Sequence, residues 1–474
     1  MNTYRPTPNR RELLRSMGAG FGALSLSALL AEPALSAPAT SGNVAAGLLA
    51  PREPHFPAKA KHVIFLFLNG GPSQVDTFDP KPMLTKFHGT LAPAGNLKTE
   101  RKTGTLLKSP FNFTRHGKSG LEISDIFTRL GDHADDLCVI RSMHVERPNH
   151  EPSLLTQNTG HPIAGHPSMG SWLTYGLGTF NQNLPGYVVL CPGLPVIGPQ
   201  LWSNGYLPGI HQGVHLPNNE SVPEKLIQHL RNKELSPEEQ RRQLDLVHSL
   251  NKLDLAREGD DPQLEARIST MEVAYRMQAE ATDAFDLTKE SDATRERYGD
   301  GDFARGCLLA RRMVERGVRM VQVYFGNQQP WDHHDDITDH AKLAAQSDAP
   351  IAALLDDLKS TGLLNETVVI ISGEFGRTPS VEVSAITRIH NGRDHNNHGF
   401  SSVVTGGGFK GGIAYGSTDD FGFKAVDKPV HPHDLQATIL NQMGLDHTKL
   451  TYRHSGRDFR LTDVAGEVIR DIIS

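Results

Sequence analysis

The chain has 474 residues, 38% hydrophobic and 22% charged, the balance of a globular protein rather than a disordered one. Its net charge of −6 gives no overall basic excess for binding nucleic acid or anionic lipid. Three cysteines (Cys138, Cys191 and Cys307) are too few for a disulfide framework and wrongly spaced for a zinc knuckle.

Near the start, Asn9-Arg10-Arg11-Glu12-Leu13-Leu14 precedes a mildly apolar run from Met17 to Leu30, then Ala34-Leu35-Ser36-Ala37. A charged segment, a short apolar one and a small-residue end form a secretory signal over 1–36. The paired arginines resemble the twin-arginine type, which implies recognition by that export machinery and a periplasmic or extracellular destination. Gly18, Gly20, Gly22, Ser25 and Ser27 leave the run too weakly apolar for a membrane span. No other segment reaches that length, so the mature chain is expected to carry no transmembrane helix. The leader holds four Arg and two Glu, so its removal takes the net charge from −6 to −8. Residues 37–60, rich in Pro, Ala and Gly, read as a linker.

From residue 61 to 474 the pattern is that of one α/β domain. Lys61-His62-Val63-Ile64-Phe65-Leu66-Phe67-Leu68 is a continuous apolar run broken by Asn69-Gly70-Gly71-Pro72, as in a strand buried on both faces. Similar runs recur at 137–140, 187–190, 318–324, 367–371 and 401–405, with helix-period stretches at 304–317 and 349–362. Strands alternating with helices imply a mainly parallel central sheet flanked by helices. Residues 219–300 are charged, helix-forming and poor in strand runs, and read as a helical insertion. Gly406-Gly407-Gly408 with Gly411-Gly412 reads as a turn-rich hairpin.

Histidine is the unusual count: 12 of 23 fall in the windows 144–166, 333–340, 390–398 and 431–433. In open α/β sheets ligands collect beyond the carboxyl ends of the strands. Four polar clusters follow strand runs there: Asn69 to Asp76, Met143 to His150, Pro330 to His340, and Ser372 to Arg377 continued by Gly392 to Gly399. One such cluster alone is most simply a turn. Four together point to a divalent cation: Zn²⁺, Mn²⁺ or Fe, or Mg²⁺ or Ca²⁺ with fewer His ligands.

Three stretches carry a resemblance. Arg147 to Gly160, with Pro148-Asn149-His150 and Thr159-Gly160, is similar to the nucleophile helix of the alkaline phosphatase/sulfatase superfamily. Val368 to Gly376 sits like its strand ending in S-D-H-G, and His433 to Leu445 like its C-terminal helix. More specifically, the leader, Asn69 to Asp79, Trp331-Asp332, Gly373 to Pro379 and Gly392 to His395 resemble a bacterial family known as domain of unknown function 1501. The resemblance implies an alkaline-phosphatase-like sandwich and a metal-dependent hydrolase of phosphate or sulfate esters, with a small-molecule or glycan ester as substrate. Asn69 stands where the superfamily has Asp, Glu146 falls near the nucleophile, and Glu374-Phe375 replaces the paired Asp-His.

What remains is an expected ligand set of Asp332, His334, Glu374 and His395. Asp336 with His340 is the alternative Asp/His pair, His398 the alternative last histidine, and Asp76 and Glu146 are further carboxylate candidates. His150 is the candidate acid or base, Asn149 a donor to developing charge, and Arg377 an oxyanion clamp. The simpler roles are an ion pair for Arg377 and a helix cap for Asn149. The other function class is a catalytically degenerate member that binds a ligand or partner on the old site. For export, replacing Arg10 and Arg11 together by Lys is expected to hold the precursor in the cytoplasm; cell fractionation showing undiminished export would exclude the twin-arginine route.

Overall fold

A computed structural model describes residues 49–474 apart from 94, 96, 228–233, 259–270, 273, 277 and 279. The leader expected over 1–36 lies outside the described residues. In chain order the elements that place the site are β1 (His62–Phe67), β2 (Thr103–Leu106), β3 (Leu137–Met143), α1 (His150–Thr159), α2 (Met169–Leu177), β4 (Tyr187–Leu190) and β5 (Val214–Leu216). There follow α3 (Asp302–Glu315), β6 (Met320–Tyr324), α4 (His340–Ser360), β7 (Thr367–Ser372), β8 (Gly376–Glu382), β9 (Arg393–Asn396), β10 (Phe400–Thr405), β11 (Ile413–Tyr415) and α5 (Pro432–Gln442).

Eight strands form one sheet in the order β11-β3-β10-β7-β1-β6-β4-β5. Only β10 runs antiparallel to its neighbours, β3 and β7, so the sheet is mainly parallel, as the alternating pattern implies. Along β1 the side chains alternate between two cores. Ile64, Leu66 and Leu68 pack with Phe303 and Leu309 of α3 and Ile351 and Leu355 of α4. Val63, Phe65 and Phe67 pack with Leu154 of α1, Trp172 and Leu173 of α2 and Ile439 of α5. Burial on both faces is why these strands read as unbroken apolar runs.

Helix α4 starts earlier than its pattern suggests, at His340, and carries Pro350 inside it. The glycine-rich stretch is a turn but not a hairpin: β10 and β11 on either side of it both pair with β3, from opposite edges. Residues 49–60, the described part of the expected linker, lie against the domain. Arg52 N donates to Leu177 O (3.0 Å), and Lys59 N and Ala60 N donate to Gln442 O (2.8 and 2.9 Å). In the 219–300 segment the described parts are largely helical, and Leu226, Ile227, Phe285 and Tyr298 enter the first core. Among the described residues no helix is long and apolar enough to cross a membrane.

Register fixes where the chemistry sits. Phe67 of β1 lies beside Tyr324 of β6 and Ser372 of β7, so the loops after all three strands emerge at one level of the sheet edge. A second sheet, ordered β9-β8-β2, covers that edge, with Arg377 opposite His395 and Glu382 opposite Thr103.

Two buried histidines bear on stability rather than chemistry. Burial pushes His62 down to about 4 and His211 down to about 3. The unfolded chain then binds more protons than the folded one between those values and about 6.5, so stability falls as pH falls through that window. The expected slope is about 1 kcal/mol per pH unit for each. Urea unfolding at pH 7.5 and 5.0 should show the loss, and His62→Gln should make it shallower; identical pH dependence in variant and wild type would refute the assignment.

Candidate metal centre

The Asp332 carboxylate is the meeting point of the site. Its Oδ1 lies 2.6 Å from Arg377 Nη2, 2.8 Å from His334 Nε2 and 3.1 Å from His395 Nε2. Its Oδ2 lies 3.4 Å from His150 Nε2. The preceding residue, Trp331, is fully buried against Phe127, Phe325 and His340. Gly70 crosses so close that an added Cβ would fall 2.6 Å from both Trp331 N and Asp332 N; its φ of +119° suits glycine alone.

Each histidine is anchored on its other nitrogen. His150 Nδ1 donates to Glu374 Oε1 (2.6 Å), whose two oxygens also accept from Gly70 N at 3.0 and 3.1 Å. His334 Nδ1 bonds Glu382 Oε2. His395 Nδ1 lies 2.7 Å from the carbonyl of Pro148 and 3.0 Å from Glu100 Oε2. A carbonyl only accepts, so His395 carries its proton on Nδ1 and presents Nε2 inward. Carboxylate or carbonyl partners behind imidazoles, with the far nitrogens converging, make the second shell of a metal site.

The buried Nε2 atoms of His150 and His334 have no hydrogen-bond partner. Both face Asp332 as charge partners, at 3.4 and 2.8 Å. One ligand atom from each of His150, Asp332 and His395 lies within 4.8 Å of the others, and the same holds for His334, Glu382 and Asp394. Imidazole and carboxylate donors of this kind fit Zn²⁺, Mn²⁺ or Fe.

Burial lowers the pKa of His150, but Asp332 and Glu374 outweigh it and raise the group above its ordinary value. His334 is raised likewise, by Asp332 and Glu382 against burial. Burial works to protonate Asp332, yet Arg377 and the three imidazoles hold it far below the usual carboxylate range.

The structure brings Asp332, His334 and His395 together and gives the other candidates different surroundings. His150, expected as an acid or base, joins the ligand group, and Glu374 stands behind it as an anchor instead of a ligand. Arg377 is no oxyanion clamp: it is 0% exposed and donates to the carbonyls of Gly70, Gly71 (2.8 Å) and Arg393 (3.3 Å) as well as to Asp332. Asn149 is exposed and occupies the N-cap of α1 without a side-chain cap bond. Asp76 pairs with the buried Arg393 (2.7 and 3.1 Å) and is unavailable to a metal. Glu146, 60% exposed, instead meets His431 at 2.8 Å. Asp336 caps the turn that starts α4 and accepts from Asn391 (2.7 Å). His340 is fully buried, with Nε2 accepting from Ser73 N (3.0 Å) and Nδ1 facing His333 (2.8 Å). His398 lies exposed in the β9–β10 turn, outside both ligand groups.

Sequence reasoning missed Glu382, Asp394 and Glu100. Asp394 adjoined a chosen histidine in a marked cluster, so its signal was there. Glu382 sits in a polar stretch of β8 with no metal-ligand spacing. Asn69 donates its amide to Gly326 O (3.0 Å) and Gln328 O, which a carboxylate cannot do.

Among solved structures, the chain is similar to a sulfatase from Pseudoalteromonas sp. (12% identity, TM-score 0.32, 93% of this chain and 72% of that one). It is also similar to an alkaline phosphatase superfamily protein from Vibrio parahaemolyticus (10% identity, TM-score 0.33, 93% and 76%). A third is the alkaline phosphatase of the Antarctic bacterium TAB5 (10% identity, TM-score 0.30, 81% and 98%). No curated protein matches the chain. The family model described as "Protein of unknown function (DUF1501)" matches residues 60–473, and the chain belongs to that family.

Proposed function

We propose that this chain is an exported, metal-dependent hydrolase of phosphate or sulfate esters. The observation that carries the reading is the convergence of three anchored imidazoles on Asp332, two of them with orphaned Nε2 atoms. His150, Asp332, His395 and His334 would hold the cation. A divalent metal bound there supplies Lewis acidity and lowers the pKa of a water bound to it. Glu374, Glu382 and Glu100 fix the rings and keep the Nε2 lone pairs facing inward. Arg377 keeps Asp332 ionised and in place. The twin-arginine leader supports an exported location, and the stretch 147–160 supports the ester class through its likeness to the superfamily's nucleophile helix.

A second reading, a protein that binds a ligand on this site without turnover, draws on two observations. Glu146 is far from taking a nucleophile's part, since it pairs with His431 outside the ligand groups. Phe375 fills the space beside His150 and His395, with ring centroids 4.8 and 4.5 Å apart, where the superfamily has an imidazole.

Elemental analysis of the mature protein, paired with hydrolysis of aryl phosphate and aryl sulfate, separates the outcomes. We expect stoichiometric metal in the wild type, its loss in His395→Ala, and affinity weakened by about 10- to 100-fold in Glu374→Gln, which removes only an anchor. Absence of stoichiometric metal would sink the metal reading; metal without turnover of either ester would favour the binding protein. The metal must displace protons from His150 and His334, whose pKa values are raised, so affinity should rise with pH through neutrality. Affinity independent of pH between 6 and 8 would show that these two imidazoles are not ligands.

A further inference from the structure

Strand β3 ends at Met143, and the next residue, His144, opens the loop that leads to His150 and α1. Backbone bonds fasten this loop to the segment that enters α5: His144 N donates to Val430 O (2.9 Å) and Val430 N to Ser142 O (2.8 Å). Three imidazoles line the seam. The ring centroids of His144 and His431 are 5.6 Å apart, and those of His431 and His433 are 4.5 Å apart. His431 Nδ1 accepts from His433 N (3.1 Å), so the neutral ring carries its proton on Nε2, 2.8 Å from Glu146 Oε1. His433 Nε2 donates to the carbonyl of Gly160 (2.6 Å), the residue that closes α1. One joint thus ties the loop after β3, the end of α1 and the first turn of α5. It also reaches the metal centre, because Pro148, in the same loop, accepts from His395 Nδ1 (2.7 Å).

The charged and titratable groups facing the row are Glu146, Asp434, Asp463 and His398 of the β9–β10 turn. Asp434 is committed to the backbone N–H groups of His431 (2.9 Å) and Glu467 (2.8 Å), and Asp463 is paired with Arg457. Glu146 is left to balance the row. One proton there is matched by its carboxylate. A second would stand one ring away from the first, at the positive end of the α5 dipole. Burial, and then the His431 ring, accordingly hold His144 and His433 below the ordinary imidazole value.

We propose that this row is an acid-sensitive latch: near neutrality it fastens the 144–150 loop to α5, and in acid the joint opens and frees the loop behind His395. Below about pH 6.5 the open joint takes up more protons than the closed one, so closure weakens as pH falls through that value. The latch is independent of the ester reading.

The test is hydrogen–deuterium exchange of the mature protein as purified, at pH 7.5 and 5.5, corrected for the intrinsic pH dependence of exchange. Protection of the His144, Val145 and Val430 amides should fall by about threefold to tenfold in acid, and should stay below that of β1 at both pH values. The double variant His144→Gln/His433→Gln keeps a side-chain donor for Gly160 and removes two of the titrating rings. It should lose most of the fall at these amides, while β1 keeps its own pH dependence. The same fall in variant and wild type, no fall in wild type, or protection equal to that of β1 would each overturn the latch. If the double variant does not fold, the exposed substitution Glu146→Gln decides. Without the balancing carboxylate the fall should deepen by about twofold or more, and an unchanged profile would overturn the proposal.

Discussion

A guanidinium with no exposed surface holds the site together. Arg377 cannot lose its proton, so the fold must surround it with acceptors, and it does so with the carbonyls of Gly70, Gly71 and Arg393 and the carboxylate of Asp332. Those acceptors come from the loop after β1, the loop after β6 and strand β9. Stripping one partner from such a buried charge costs about 3–5 kcal/mol, enough to bind these segments to one geometry. The Gln74 side chain ties the same residue from behind, donating to Arg377 O (2.9 Å) and accepting from Arg377 N (2.8 Å).

Around that anchor the charges do not balance unaided. Asp332, Glu374, Glu382, Asp394 and Glu100 face two guanidiniums, those of Arg377 and Arg101. In a medium of low effective dielectric a surplus of carboxylates draws in either protons or metal. The imidazoles alternate with the carboxylates, so each ring has an acidic neighbour, and the inward-facing nitrogens are the atoms the proposed cation would use.

Much of this was legible in the residues. Val63 to Phe67 announced a doubly buried strand because both faces of the sheet are covered, and Asp332, His334 and His395 stood out as polar clusters directly after strand runs. Burial of charge was harder to see. Arg377 looks like a surface clamp in a list of residues; only the positions of the Gly70 and Gly71 carbonyls make it an interior one. Glu382 is invisible for a related reason. Strand β8 is buried throughout although its sequence, Gly376-Arg377-Thr378-Pro379-Ser380-Val381-Glu382, is polar. Its partners β2 and β9 lie far apart in the chain, and no local period records them.

The separations along the chain have a consequence for when the site comes into being. Glu374 reaches Gly70 across 304 positions and His150 across 224, and Arg393 reaches Asp76 across 317. Pairings of that range close only after the sheet has assembled, so the cluster has no local precursor and would capture the proposed cation as a late event of folding. Under the proposed export of an already folded chain, the choice among competing metals would then be made on the inner side of the membrane. The ion carried across would reflect the metal pool of the cell that made it, whatever ions are abundant where the protein ends up.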